Sequence, residues 1–323
     1  MRSSRLLGAL AGLPVLFALW YLPSLAQLYW WRDTTSYGAS GDWASGDPAA
    51  MPGVLNPPDW SVHLVVALVL CALVLGVALA ASRRLPALGA VAGLPLAAVG
   101  AYAQIRGEDI GGLAGILPLP GGPEVASRQM RQGTEWYLGQ GLCLLVGGTL
   151  LAATVWGLRT SRRSPRGPLS SALIGLVALV ASCACAFDSR VWITDGALDT
   201  VMRVGLMAVA AVLFGWTAGS RRLSPAAPLA CGLPALVLGV DHLFEGEAFS
   251  GGLLRDLIQY VLPLSLFDDP YPVLELRSAI FAGGALLVTM GGALMVAAVG
   301  RLGPSGGDPH VRSAGSEGPV NST

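Results

Sequence analysis

Apolar stretches close to 20 residues long, each free of solvated charge and each closed by a polar break, recur along this chain. They cover 6–28, 62–81, 86–103, 136–158, 168–187, 200–218, 226–243 and 278–299. A helix needs about 20 residues to cross a hydrocarbon core of roughly 30 Å, so each stretch reads as one crossing. Strands that cross lipid must alternate polar and apolar positions, and the segment LVVALVLCALVLGVALAA, residues 64–81, does not. The pattern predicts an all-α integral membrane protein of about eight transmembrane helices, arranged as four hairpins in a lipid bilayer. Composition points the same way. Apolar residues make up 53% of the 323 and charged residues 12%, and mean hydropathy is +0.61, whereas a soluble domain carries about 25% charged residues.

The formal net charge of zero conceals a separation by side. Arg2, Arg5, Arg83, Arg84, the RTSRRSPR bend at 159–166, Arg221, Arg222, Arg301 and Arg312 make twelve arginines facing two acids, Asp308 and Glu317. The alternate connections and the span ends facing them hold the other eighteen acids and eight arginines. Basic connections stay in the cytoplasm, so both termini are expected inside and the long connections outside. All 20 basic residues are arginine, which with the abundance of Ala, Gly and Leu suits a GC-rich bacterial genome and a plasma-membrane location. A rival reading takes Arg2, Arg5, the apolar run from Leu6 and Ser24-Leu25-Ala26 as a cleavable signal peptide, which leaves seven spans.

Features recur in order about 140 residues apart. Arg83-Arg84 answers Arg221-Arg222, Gly93-Leu94-Pro95 answers Gly232-Leu233-Pro234, and Gly100 answers Gly239. Gly107-Glu108 answers Gly246-Glu247, Gly111-Gly112-Leu113 answers Gly251-Gly252-Leu253, and Glu135 answers Glu275. Ordered matches of this kind predict an internal duplication of a four-helix unit, residues 1–165 and 166–303, with a Gly/Ser/Pro-rich disordered tail at 304–323. Four helices per unit give both copies the same orientation, related by a pseudo-twofold axis along the membrane normal. The tripeptide also occurs as Gly12-Leu13-Pro14 in the first span, and the fifth keeps only Gly175-Leu176.

Three of the outer connections are long enough to carry structure. In 251–267, Leu254, Leu257, Ile258, Val261 and Leu262 fall at helical spacing, as in a helix lying in the interface. Its counterpart at 110–120 reads as a short cap or re-entrant turn. Tyr29, Trp30, Trp31, Trp60, Trp136, Tyr137 and Trp192 cluster at outer span ends, and Trp156 and Trp216 near inner ends, as an aromatic belt would. Glycines such as Gly100, Gly139, Gly141, Gly147, Gly148, Gly291 and Gly292 suit close helix contacts.

Chemistry is sparse. Asp241, His242, Glu245 and Glu247 gather at the outer end of the seventh span, where carboxylate and imidazole can hold a divalent cation or pass protons. Hydrated boundary residues explain the same pattern, and the third span offers Tyr102 and Gln104 in that neighbourhood instead. Glu135 and Glu275 each open a return helix. They favour the positive end of the helix dipole, and they can also line a cation-attracting vestibule. Arg203 has Asp199 one turn before it as an ion-pair partner. The cysteines, Cys71, Cys143, Cys183, Cys185 and Cys231, lie within spans without metal-site spacing and read as packing residues. There is no Walker A loop, HExxH, GxSxG, CxxC or dinucleotide fingerprint. Topology accounts for the basic turns, so nucleic acid is not expected as a partner.

Three functions stay open: a transporter or permease for an apolar or lipid-like substrate; a non-catalytic accessory or scaffold subunit docking an envelope partner through acidic outer loops; and an outer-leaflet enzyme using Asp241, His242 and Glu245. The residues leave the cofactor, like any metal, unknown.

Overall fold

A computed structural model of the chain describes residues 2–38, 62–106, 134, 137–139, 141–159, 166–191, 197–244 and 272–302. They form helices α1 (Arg2–Gly38), α2 (Val62–Ser82), α3 (Pro86–Arg106), α4 (Leu142–Leu158), α5 (Pro168–Val191), α6 (Ala197–Gly219), α7 (Ala226–Phe244) and α8 (Pro272–Leu302). Among the described residues there is no strand. Lipid leaves no other partner for backbone N–H and C=O groups than the helix itself, so long apolar runs become helices. Six helices are long and apolar enough to cross a membrane. Two apolar helices, Leu142–Leu158 and Ala226–Val240, are shorter. The expected interfacial helix at 251–267 and the cap at 110–120 lie outside the described residues.

Each expected span contains one of these helices, with shifted ends. The fourth span was expected from residue 136, but α4 starts at Leu142. Gly141 interrupts it with φ 72°, and its N–H turns back to the Leu138 carbonyl at 3.1 Å. Positive φ is costly for residues with a Cβ, so glycine permits this break.

Helices pack in a closed sequence of neighbours: α1 lies on α2 and α3, α3 on α4, α4 on α6, α6 on α5, α5 on α7, α7 on α8, and α8 on α2. α2 and α6 also touch, so they lie at the centre. Fully buried Leu75, Leu79, Leu145, Leu150, Phe214, Leu287 and Met290 fill the interior. Leucines that face outward, such as Leu73, Leu94, Leu173 and Leu233, leave the surface apolar.

Without water to drive helices together, close packing through small residues does the work. A Cβ at Gly93 would come 2.9 Å from the Gly147 carbonyl oxygen, and one at Gly232 would come 2.8 Å from that of Gly291. A Cβ at Gly148 would come 2.8 Å from the Ala211 methyl, and one at Gly292 would come 2.8 Å from that of Ala72. A Cβ at Gly12 would come 3.1 Å from the Leu88 carbonyl oxygen, and one at Gly175 would run into the carbonyl of Ala227. In the Gly-Leu pairs of α1, α3, α5 and α7, the glycine meets a neighbouring helix, while Leu13, Leu94, Leu176 and Leu233 face outward.

The arginine-rich bends meet at one end of the bundle. Arg221 Nη2 donates to the Arg83 carbonyl at 3.4 Å, and the Arg166 N–H donates to the Arg222 carbonyl at 2.9 Å. Arg301 caps the end of α6, donating from Nη2 to the carbonyls of Thr217 (2.9 Å) and Ala218, and from Nη1 to Leu223 (3.4 Å). Carbonyls at a helix C-terminus carry the negative end of its dipole, which suits a guanidinium. Arg159 also lies over the Trp156 ring at 4.5 Å.

Candidate functional site

Asp241 and His242 fall in the last turn of α7 and Glu275 in the first turn of α8, with their side chains outside the described residues. Glu135, Glu245 and Glu247 lie outside them entirely, as do Trp30, Trp31, Trp60, Trp136 and Trp192. Among the described residues no three His, Cys, Asp or Glu groups come together as a metal site would require.

The helix register bears on the paired candidates. The contacts at Gly93 and Gly147 recur at Gly232 and Gly291 with an offset of 139 residues in α3 and α7 but 144 in α4 and α8. In the packed parts of α4 and α8, therefore, the offset differs from the 140 that pairs Glu135 with Glu275. At 139, the α7 positions Asp241 and His242 match Tyr102 and Ala103 of α3, of which Ala103 is fully buried.

Two buried polar side chains answer backbone groups left open by breaks in other segments. Tyr137, expected in the aromatic belt, is instead fully buried. Its hydroxyl donates to the Leu19 carbonyl at 3.0 Å. Residue 23 is proline inside α1, so the N–H that would normally bond Leu19 is missing, and the phenol supplies the donor. Gln104 plays the same part at the break before α4, where its Nε2 donates to the carbonyls of Leu138 and Gly139, both at 2.8 Å. The clues in sequence were Pro23 and the GQG run at 139–141, and neither names its distant partner.

Other contacts are structural as well. His63 is exposed and stacks on Tyr29 with centroids 5.2 Å apart and planes inclined 23°, as an interfacial pair. Arg203 Nη2 reaches Thr200 Oγ1 at 3.5 Å, while Asp199 lies with the side chains outside the described residues. No disulfide joins any of the five cysteines. Cys71 of α2 and Thr289 of α8 lie together beside a cavity of about 30 Å³ lined by Gln27, Cys71, Tyr137, Leu142, Thr289 and Met290. That volume holds about one water molecule.

No family model, curated protein or solved structure matches this chain. What can be said of its function therefore comes from its own residues.

Proposed function

We propose that the chain is a tandem pair of four-helix units, 1–165 and 166–303, whose eight helices all cross a bacterial plasma membrane with both termini and the tail in the cytoplasm. Support comes from packing that repeats in register. α1 on α2, α1 on α3 and α3 on α4 correspond to α5 on α6, α5 on α7 and α7 on α8. Between the halves, α4 on α6 exchanges with α8 on α2, as a twofold axis passing between α2 and α6 requires. Burial of Leu19, Trp20 and Ala26 supports retention of α1 over its cleavage as a leader. The arginine side supports the orientation.

On this architecture we read the protein as a non-catalytic scaffold or accessory subunit that holds an envelope partner through its acid-rich outer segments. The observation carrying this reading is how closely the halves meet. A Cβ at Gly76 would lie 2.8 Å from the Ala293 carbonyl oxygen, and one at Gly215 would lie 2.6 Å from that of Thr149. A polar path between the halves through either of these contacts would have to part a seam packed this closely. The test is crosslinking and purification of the full chain from native membranes. One stoichiometric envelope protein is expected, and it is lost when Asp42, Asp47 and Asp59 are changed to Asn. Purification without a partner would overturn the reading.

The second reading is a transporter for an apolar or lipid-like substrate, favoured by the repeat and the outward-facing apolar helix faces. Substrate movement in proteoliposomes containing only this chain would establish it. The enzyme reading depends on Asp241, His242 and Glu245, and fails if Asp241→Asn and His242→Gln change no activity and no bound metal.

A further inference from the structure

Where the end of α2 meets the end of α8 and the turn after α6, arginines converge from three elements. Arg221 bonds the Arg83 backbone at 3.4 Å. The Arg83 side chain passes over Gly157, whose would-be Cβ lies 3.4 Å from Arg83 Cγ. Arg301 closes the end of α6 with its two Nη groups. Nε of Arg83 and Nε of Arg301 are both buried with no hydrogen-bond partner. Burial lowers the Arg83 pKa, and the nearby charges of Arg221 and then Arg84 add to the shift. Arg83 and Arg301 are half-buried while Arg221 and Arg84 are exposed; like charges brought together there repel one another, and a counter-anion relieves this. On this side of the sequence the only acids are Asp308 and Glu317 of the tail.

We propose that Arg83, Arg221 and Arg301 form a binding site for a phosphate group, brought either by the headgroup of an acidic phospholipid or by a soluble phosphate. Guanidinium N–H groups arranged as forks match phosphate oxygens better than any other side chain. The unpartnered donors are Nε of Arg83 and, left over by its helix-capping bonds, Nε of Arg301. The location, at the arginine-rich end of a membrane bundle, is where lipid headgroups lie.

The test uses the full-length chain in phosphatidylcholine nanodiscs, in three arms. In the first, phosphatidylglycerol replaces part of the phosphatidylcholine; in the second, inorganic phosphate is titrated; in the third, the chain is truncated after residue 303. Binding is read by lipid retention in native mass spectrometry and by the unfolding midpoint. Retention of phosphatidylglycerol over phosphatidylcholine identifies a lipid site, and saturation by inorganic phosphate alone identifies a soluble one. In either case Arg83→Gln or Arg221→Gln weakens binding about tenfold, the order expected for losing one charged hydrogen bond. Arg5→Gln, an exposed arginine at the same end, leaves binding unchanged. Unfolding midpoints without phosphate distinguish lost binding from lost folding. The proposal is overturned if neither probe binds, if the arginine variants bind as the parent does, or if binding appears only once the tail is removed, since the tail acids would then be the occupants.

Discussion

At the seam of α4 and α6, Gly148 lies against Ala211, and Gly215 against Thr149 and Ala152; at the seam of α2 and α8, Gly292 lies against Ala72, and Gly76 against Ala293 and Val296. Backbone approach is the same in both. The side chains around it are not. Thr149 occupies the position of Ala293, and its hydroxyl is buried with no hydrogen-bond partner. Cys71 and Thr289, together beside a small cavity, stand where the other seam has Ala210 and Leu145, both fully buried. In lipid, what a helix pair must keep is room for two backbones to touch; the polarity of the neighbouring side chains is free to differ, at a cost where a buried donor such as the Thr149 hydroxyl is left without a partner.

Substitutions can break that likeness or sharpen it. Gly147→Leu and Gly291→Leu put side chains against the backbones of α3 and α7 at matched sites. Each is expected to cost about 3 kcal/mol, at the upper end of overpacking. Equal falls in folded, monodisperse yield support the twofold; a large fall in only one breaks it.

Next in size is Tyr137→Phe, which strips the Leu19 carbonyl of its donor and is expected to destabilise by about 2 kcal/mol. Pro23→Ala returns an N–H to α1. In the Pro23→Ala background, Tyr137→Phe is therefore expected to cost much less, as read by thermal unfolding midpoints of the four proteins in a double-mutant cycle. Equal costs in both backgrounds contradict the pairing.

The smallest effect is at the seam difference itself. Thr149→Ala removes a buried hydroxyl without a partner and is expected to stabilise by about 1 kcal/mol, while Ala293→Thr at the matching position destabilises by a similar amount. Opposite shifts in midpoint are the expected result. Shifts of the same sign would mean the two positions are not equivalent.

Much of this architecture was legible in the run lengths and the arginine bends, because lipid forces both: apolar runs must become helices, and basic turns must share a side. The Gly-Leu pairs recur in four of the helices, and their packing accounts for them, with glycine against a neighbour and leucine outward. The return helices were less legible. Their offset of 144 cannot be read from Gly and Leu matches alone, since GG pairs align at several registers. Tyr137 was misplaced for a similar reason. An aromatic near a span end reads as a belt residue, and what decided its burial was a proline in another helix. For Asp241, His242, Glu245 and Glu247, the sequence supplied a cluster of the right residue types. The described residues place only the backbone of the first two, and the register sets them opposite Tyr102 and Ala103.

The most direct measurement is crosslinking of the two seams in membranes. In a background lacking the five cysteines, Ala72→Cys with Gly292→Cys and Ala211→Cys with Gly148→Cys are oxidised, and the chain is then cut between residues 160 and 165. A Cβ at Gly148 and one at Gly292 would each come 2.8 Å from the facing alanine methyl. After the same small separation to reach the Cβ spacing of a disulfide, both pairs are predicted to hold the halves together on a non-reducing gel to the same extent. Linkage through one pair alone, or through neither, would contradict the twofold.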